Sequence, residues 1–349
     1  MFIFPLIITN HQNNLCALSV IIVNYKSAED IKKCLASAFQ FQSAQSFEWL
    51  IVNNDEEADS KETLMAAYPR IKWINMNYNA GFARANNEGI RQSSGDAVLL
   101  LNPDTIILDN AIDKCYQQLM DSKFIASAVQ LLNEDKTPQI TGNFFMKGGL
   151  NHLLPLPYLG NCLRSIAFAA KVKKTNVPSA SAVEKVDWIT GAFLMVKKSG
   201  IEKAGLLDED FFLYSEETEW CYRLGKTGDL CVFGGLFTIH TQGEVINRAT
   251  KTSDKGYSGI TGKKGLQLMV SQHLRTRKQF GAGWFLFHLL MHTLEIPIYF
   301  LCSFFDHLFH LRNPFHDWKK VKDYSQNVFK LWKLMPAILK NEGHFYKML

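Results

Sequence analysis

The chain has 349 residues, 47% hydrophobic and 20% charged, with a net charge of +5. This is longer than one typical domain and has the composition of a folded protein, so it excludes a disordered chain and predicts a main domain with an appendage. Seven scattered cysteines, odd in number and without a C-x-x-C pair, exclude a disulfide framework and a zinc knuckle and fit a reducing cytosol.

The N-terminus, MFIFPLIITNHQNN, lacks a basic n-region and a small-residue cleavage site, so residues 1–17 read as an extension rather than a signal peptide. Leu18 to Tyr25 (LSVIIVNY) is a β-branched strand, and Ser27 with Asp30 reads as a capping box opening a helix through Ile31, Leu35 and Ala38. A second strand, Glu48 to Val52, ends at Asn53, Asn54 and Asp55. The acidic residues Glu56, Glu57 and Asp59 and a helix around Thr63 to Ala67 follow. A third strand, Ile71 to Asn75, leads to Gly81 and a helix ending near Ser94. The fourth, Ala97 to Leu101, stops at Asn102-Pro103-Asp104, where proline fixes φ and holds the aspartate on a stiff elbow.

Three βα units before residue 105, each strand ending in Asn or Asp, predict a doubly wound parallel sheet with a polar, nucleotide-sized ridge at the strand carboxyl ends. No G-x-G-x-x-G follows the first strand and no G-x-x-x-x-G-K-[ST] occurs, which removes the main support for dinucleotide and P-loop readings. Asp104 offers a hard oxygen ligand suited to Mg²⁺ or Mn²⁺ that bridges to a diphosphate.

Ala111 to Met120 reads as a helix and Phe124 to Leu132 as a strand. Residues 133–183 are rich in Gly and Pro, with a basic cluster at Lys171, Lys173 and Lys174, and read as a loop-rich insertion facing an acceptor. Regular pattern resumes at Glu184 to Val196. There Trp188 offers a flat face to a sugar or to the core, and Gly191 lets a ligand approach the backbone. Glu216, Glu217 and Glu219 open a helix bearing Trp220, Cys221 and Leu224. The helix dipole explains acids there, and crowding beside apolar residues raises at least one pKa, as a general base requires. A strand from Val232 to Ile239 ends at His240-Thr-Gln-Gly243.

These motifs, VIIVNYKS, IVNND, NAGFARANNEGI, LLLNPDT, WITGAFLMV, FFLYSEETEWCYRL and HTQG, occur in order from residue 20 to residue 243, within an expected domain of residues 18–270. Together they resemble a family-2 glycosyltransferase of the GT-A fold, in the subgroup of bacterial rhamnosyl- and galactofuranosyltransferase-like enzymes. The resemblance implies a nucleotide-sugar donor, leaning towards dTDP-rhamnose with UDP-sugars next, and inversion at the anomeric carbon. Asn102-Pro103-Asp104 matches the family's Asp-x-Asp metal motif with Asn replacing the first Asp, and His240 matches a histidine that joins the metal or diphosphate. Glu217 matches the general base, usually Asp, and Glu216 a contact to the acceptor, with Trp188 and Gly191 on the acceptor side. Tyr25, Asn53, Asp55, Gly81, Arg84 and Asn86 match positions lining base, ribose and diphosphate. The departures at Asn53, Asn102 and Glu217 keep open a second reading, a GT-A-like protein that binds a nucleotide sugar or glycan without transferring it.

The basic excess lies at the end: residues 271–349 carry eleven Lys/Arg against five Asp/Glu. Within this tail His288, His292, Glu295, Tyr299, Ser303, Asp306 and His310 fall on one stripe of an otherwise apolar helix interrupted by Pro297. Basic residues flank it at Arg275, Arg277, Lys278, Arg312, Lys319 and Lys320. This predicts a helix lying in an anionic membrane surface over residues 275–320, peripheral on the inner face of the cell membrane and serving a lipid-linked glycan acceptor. The alternatives are burial against the catalytic domain or a second subunit, giving a homodimer, and a zinc site at the His-x-x-x-His-x-x-Glu spacing. Nucleic acid is not expected, because the basic residues are interleaved with a long apolar helix.

Overall fold

A computed structural model of the chain describes residues 17–55, 61–171, 175–241 and 259–349. Residues 1–16 of the extension, Glu56, Glu57, Asp59, Lys173, Lys174 and the Gln242-Gly243 end of the last motif lie outside the described residues. β1 (Leu18–Asn24), β2 (Glu48–Asn53), β3 (Lys72–Asn75) and β4 (Ala97–Leu101) lie in the order β3-β2-β1-β4, all parallel. α1 (Ala28–Ala38), α2 (Lys61–Ala67) and α3 (Gly81–Arg91) make the crossovers. α1 buries Ile31, Cys34, Leu35 and Ala38, one face at helical spacing. The expected capping box does not form: the Ser27 hydroxyl donates to Asn24 Oδ1 at 3.1 Å, tying the loop to the strand end instead.

After β4 come β5 (Thr105–Ile107), α4 (Ala111–Met120) and β6 (Ala126–Leu132). The insertion holds β7 (Gly142–Asn143), a 3₁₀ turn at Lys147–Leu153, α5 (Leu159–Ala169) and β8 (Asn176–Val177). β9 (Val183–Val186), β10 (Trp188–Ile189), β11 (Phe193–Lys197), α6 (Lys198–Ala204), α7 (Glu216–Leu224) and β12 (Leu230–His240) follow. The full sheet order is β3-β2-β1-β4-β11-β6-β12-β5, with β9 also on β12, while β10, β7 and β8 make a small second sheet. The doubly wound parallel sheet expected of the GT-A fold is thus realised in its first four strands and becomes mixed beyond them. The chain re-enters beside the carboxyl end of β4, where Asn102 N–H donates to the Ala192 carbonyl at 2.9 Å, so β11 must run back antiparallel.

The tail is three helices: α8 (Gly262–Phe280), α9 (Ala282–Phe309) and α10 (Trp318–Lys340). The boundary expected at 270/271 falls inside α8. This helix belongs to a second core in which Met269, Phe285, Leu289 and Tyr324 pack with Leu153 and Leu156 of the insertion and with Phe211. The basic flank is also partly turned inward. Arg275 is fully buried, Arg277 donates to the Leu339 carbonyl at 2.8 and 3.0 Å, and Lys278 pairs with Asp208 and Asp210.

α9 is inverted with respect to water. His288, His292, Glu295, Tyr299 and Ser303 face the protein interior, while Leu290, Leu294, Leu301, Phe305 and Phe309 are exposed, the last at 80%. The inward groups have separate partners: His288 Nε2 donates to the Gly148 carbonyl, His292 meets Tyr324 Oη at 3.0 Å, and Glu295 accepts N–H from Tyr158 and Leu159 at the start of α5. That dispersal corrects the zinc reading of the stripe. Burial lowers His273 to about 3 and His288 to about 4, so these rings are neutral at physiological pH.

Candidate active site

β5 and β12 pair antiparallel with Thr105 opposite His240, which brings the Asn102-Pro103-Asp104 elbow against the end of the last strand. Asp104 Oδ1 lies 3.4 Å from His240 Nε2, and Asn102 Nδ2 lies 3.3 Å from the same nitrogen. Asp104 and His240 are both buried, and Thr241 N–H donates to the Asp104 carbonyl at 3.0 Å. The two residues expected as ligands thus stand side by side. A carboxylate oxygen and an imidazole nitrogen facing each other at that separation suit a shared divalent cation, with Asn102 adding an uncharged amide beside them.

The strand ends form an asparagine ladder. Asn24 Nδ2 donates to Asn53 Oδ1 at 2.8 Å, and Asn53 Nδ2 donates to the Asp55 carbonyl at 2.8 Å and to Asn75 Oδ1 at 3.3 Å. Asn54 bridges to Asn79, Ala80 and Gly81. Asn53 is buried with both ends of its amide engaged, so it braces the ridge, and Asp55 and Tyr25 are its more open neighbours. Three further residues expected to line the donor also make contacts within the fold. Gly81 has φ +76°, and a Cβ there would fall 2.2 Å from the Phe212 carbonyl oxygen. Asn86 is buried and donates to the Phe82 carbonyl one turn back. Arg84 donates to the Glu209 carbonyl at 3.2 Å and stacks 3.9 Å from the centre of the Phe345 ring.

α7 begins after two consecutive left-handed residues, Tyr214 (φ 72°) and Ser215 (φ 68°), a backbone that non-glycine residues adopt only when the surroundings enforce it. The surroundings are a seam between the two cores. Asn87 clamps both backbone groups of Leu207, Lys278 holds Asp208 and Asp210, and Tyr346 N–H donates to the Asp210 carbonyl. Phe82 N–H donates to the Phe212 carbonyl and Ser271 Oγ to that of Leu213.

The three acids then separate in role. Glu219 is held by Arg223 through three N–H···O contacts of 2.7 to 3.0 Å, an i,i+4 ion pair that fixes the helix. Glu216 and Glu217 are buried. Burial raises the Glu217 carboxyl above its ordinary value, opposed by backbone N–H groups and by the positive charge of Arg275. Burial and then the Glu217 charge raise the Glu216 carboxyl well above 4.5, so the pair resists carrying two negative charges.

Gly191 links the two halves of the site. A Cβ there would lie 3.7 Å from Glu217 Cβ and 3.1 Å from Phe82 Cζ, and its neighbour Ala192 accepts the Asn102 N–H. Trp188 is half-buried, and its Nε1, Thr190 Oγ1 and Glu216 Oε2 have no hydrogen-bond partner among the described residues. Buried polar atoms left open in this way are acceptable where a polar ligand completes them. Two neighbours were not foreseen. Gln139, in the weakly patterned insertion, touches His240, and Arg275 approaches the acids from the tail; neither belongs to a local motif that sequence could reveal.

Residues 19–165 match the model of Glycosyl transferase family 2. The chain is 30% identical over 221 residues to the low-salt glycan biosynthesis hexosyltransferase Agl10 of Haloferax volcanii, covering 61% of this chain and 62% of that protein, thus less than two thirds of its length. It is 24% identical to the rhamnosyltransferase WbbL of Escherichia coli, covering 60% of this chain and 77% of that one. It is also 24% identical to the N-acetylglucosaminyl-diphospho-decaprenol L-rhamnosyltransferase of Mycobacterium tuberculosis, covering 62% and 73%.

Proposed function

Since residues 19–165 match glycosyl transferase family 2, we propose that the chain transfers a sugar, with inversion, from a nucleotide-sugar donor to a hydroxyl of a glycan or lipid-linked glycan. The observation that carries this reading is the Gly191-Ala192 joint, which sets the buried Glu217 next to the strand end that bears Asn102 and Asp104. In this mechanism Glu217 takes the proton of the acceptor hydroxyl as that oxygen attacks the anomeric carbon. Protonated Glu216 donates a hydrogen bond to the acceptor and leaves the negative charge on Glu217, while Trp188 and Gly191 line the acceptor side. Asp104 and His240 would hold Mg²⁺ or Mn²⁺, which when bound supplies positive charge to the departing diphosphate. Tyr25 and Asp55 face the base and ribose. No covalent enzyme intermediate is needed.

Donor preference leans to dTDP-rhamnose, in keeping with the two rhamnosyltransferase relatives, with UDP-sugars as the alternative. The inverted α9, with Arg312, Lys319 and Lys320 exposed beyond its end, supports peripheral attachment to an anionic membrane surface. Glu217→Gln should abolish transfer while preserving the thermal shift that a nucleotide sugar and Mn²⁺ produce. Transfer persisting within a few-fold would remove Glu217 from the role of base.

A further inference from the structure

Gln139 lies between β6 and β7, outside every motif that points to the site. Its side chain is nonetheless buried and hydrogen-bonded at each end. Its amide nitrogen has two acceptors, Asn133 Oδ1 at 2.8 Å and the His240 carbonyl at 2.5 Å. Both are oxygens that cannot donate, so the amide orientation is fixed: Nε2 faces them and Oε1 faces the other way. Oε1 lies 3.1 Å from His240 Nδ1. An amide oxygen only accepts, so Nδ1 must carry the proton in this contact. In the neutral ring this leaves the lone pair on Nε2, the nitrogen 3.4 Å from the Asp104 carboxylate and 3.3 Å from the Asn102 amide nitrogen.

The backbone of Gln139 is fastened as well. Its N–H donates to the Leu131 carbonyl at 2.8 Å, and its carbonyl accepts Gln130 Nε2 at 2.7 Å. The lever that orients the ring is therefore anchored on β6, the strand that pairs with β12 up to Ile239, the residue before His240.

We infer that Gln139 is a positioning residue that holds His240 as the Nδ1–H tautomer and so aims the Nε2 lone pair at Asp104 for a divalent cation. This rests on the reading of Asp104 and His240 as a cation site. The physical reason is general: a ligating histidine needs its second nitrogen held by an outer partner, and loss of that partner typically weakens metal binding by about 10- to 100-fold.

The test begins with the metal-free wild type, in which ¹⁵N-detected histidine correlations read the tautomer directly. His240 is expected as Nδ1–H, and an Nε2–H ring overturns the proposal. Mn²⁺ binding is then measured by electron paramagnetic resonance on wild type, Gln139→Leu, Gln139→Glu and His240→Ala. Gln139→Leu should weaken Mn²⁺ by about 10- to 100-fold. Gln139→Glu keeps an acceptor for Nδ1–H but sets its second oxygen against the Asn133 Oδ1 and His240 carbonyl oxygens, so it should fall between wild type and Gln139→Leu. Equal weakening by Glu and Leu, or wild-type affinity in a folded Gln139→Leu, refutes the positioning role. If His240→Ala also binds Mn²⁺ like wild type, the cation site itself is refuted, and the two failures are told apart. Should Gln139→Leu not fold, the tautomer measurement and the Glu variant still decide.

Discussion

The carboxylate pair at the start of α7 makes the sharpest prediction, because the two residues differ by one position and should respond oppositely. Replacing Glu217 by Gln keeps the shape and removes the base, so kcat should fall by about 10²- to 10⁴-fold, the usual contribution of a positioned general base. Replacing Glu216 by Gln keeps a hydrogen-bond donor where a protonated carboxyl stood, and kcat should change far less. The pH profile separates them further. Glu217 acts ionised, its pKa is raised by burial above 4.5, and activity should fall tenfold per pH unit as pH drops below that raised value. With Glu216 as the protonated partner and Glu217 as the base, as proposed, Glu216→Gln should leave this acid limb in place. Stability carries an independent sign. Glu216 binds its proton more tightly folded than unfolded, so the folded state loses stability as pH rises from 4.5 through the raised pKa. Glu216→Gln removes that loss and should raise Tm at pH 8 more than at pH 5. Nucleoside diphosphate release from pH 4.5 to 8.5 and calorimetry at the two pH values provide the readouts. An acid limb that moves with Glu216→Gln, together with a Glu217→Gln enzyme that keeps its rate, would reverse the assignment.

Other consequences are simpler. Asp104→Ala should lose the Mn²⁺-dependent part of the thermal shift caused by a nucleotide sugar, and an unchanged shift would remove Asp104 from the cation site. Gly81→Ala places a Cβ at φ +76° and 2.2 Å from the Phe212 oxygen, so denaturant unfolding should show a loss of at least about 1–2 kcal/mol. Leu294→Glu combined with Leu301→Glu, both on the exposed face of α9, should abolish flotation with anionic liposomes without lowering Tm. Flotation equal to wild type would count against the membrane face.

What could be read before the structure was local. Strand ends rich in Asn and Asp, the proline elbow at Asp104 and the acids that open α7 each carry their signal within a few residues, and the structure brings Asp104 to His240 and Glu217 to Gly191. Direction was not legible. Periodicity places His288, His292 and Glu295 on one stripe, but whether that stripe meets water or protein depends on what the rest of the chain packs against it. The same limit applies to Asn53 and Arg84, whose partners Asn24, Asn75, Glu209 and Phe345 are distant in sequence. Gln139 had no sequence signature, because orienting a ring needs one well-placed amide and no repeat or spacing.

The left-handed pair Tyr214-Ser215 is the outlet of the seam where Lys278, Ser271 and Tyr346 from the tail meet Asn87 and Phe82 from the donor side. Neither half alone holds this stretch, so the start of α7 hangs like a bracket fixed to two walls. Any force that shifts α8 against α3 is delivered to the backbone of Glu217 within a few bonds. Where the tail rests is thereby mechanically continuous with the carboxylate proposed to abstract the proton.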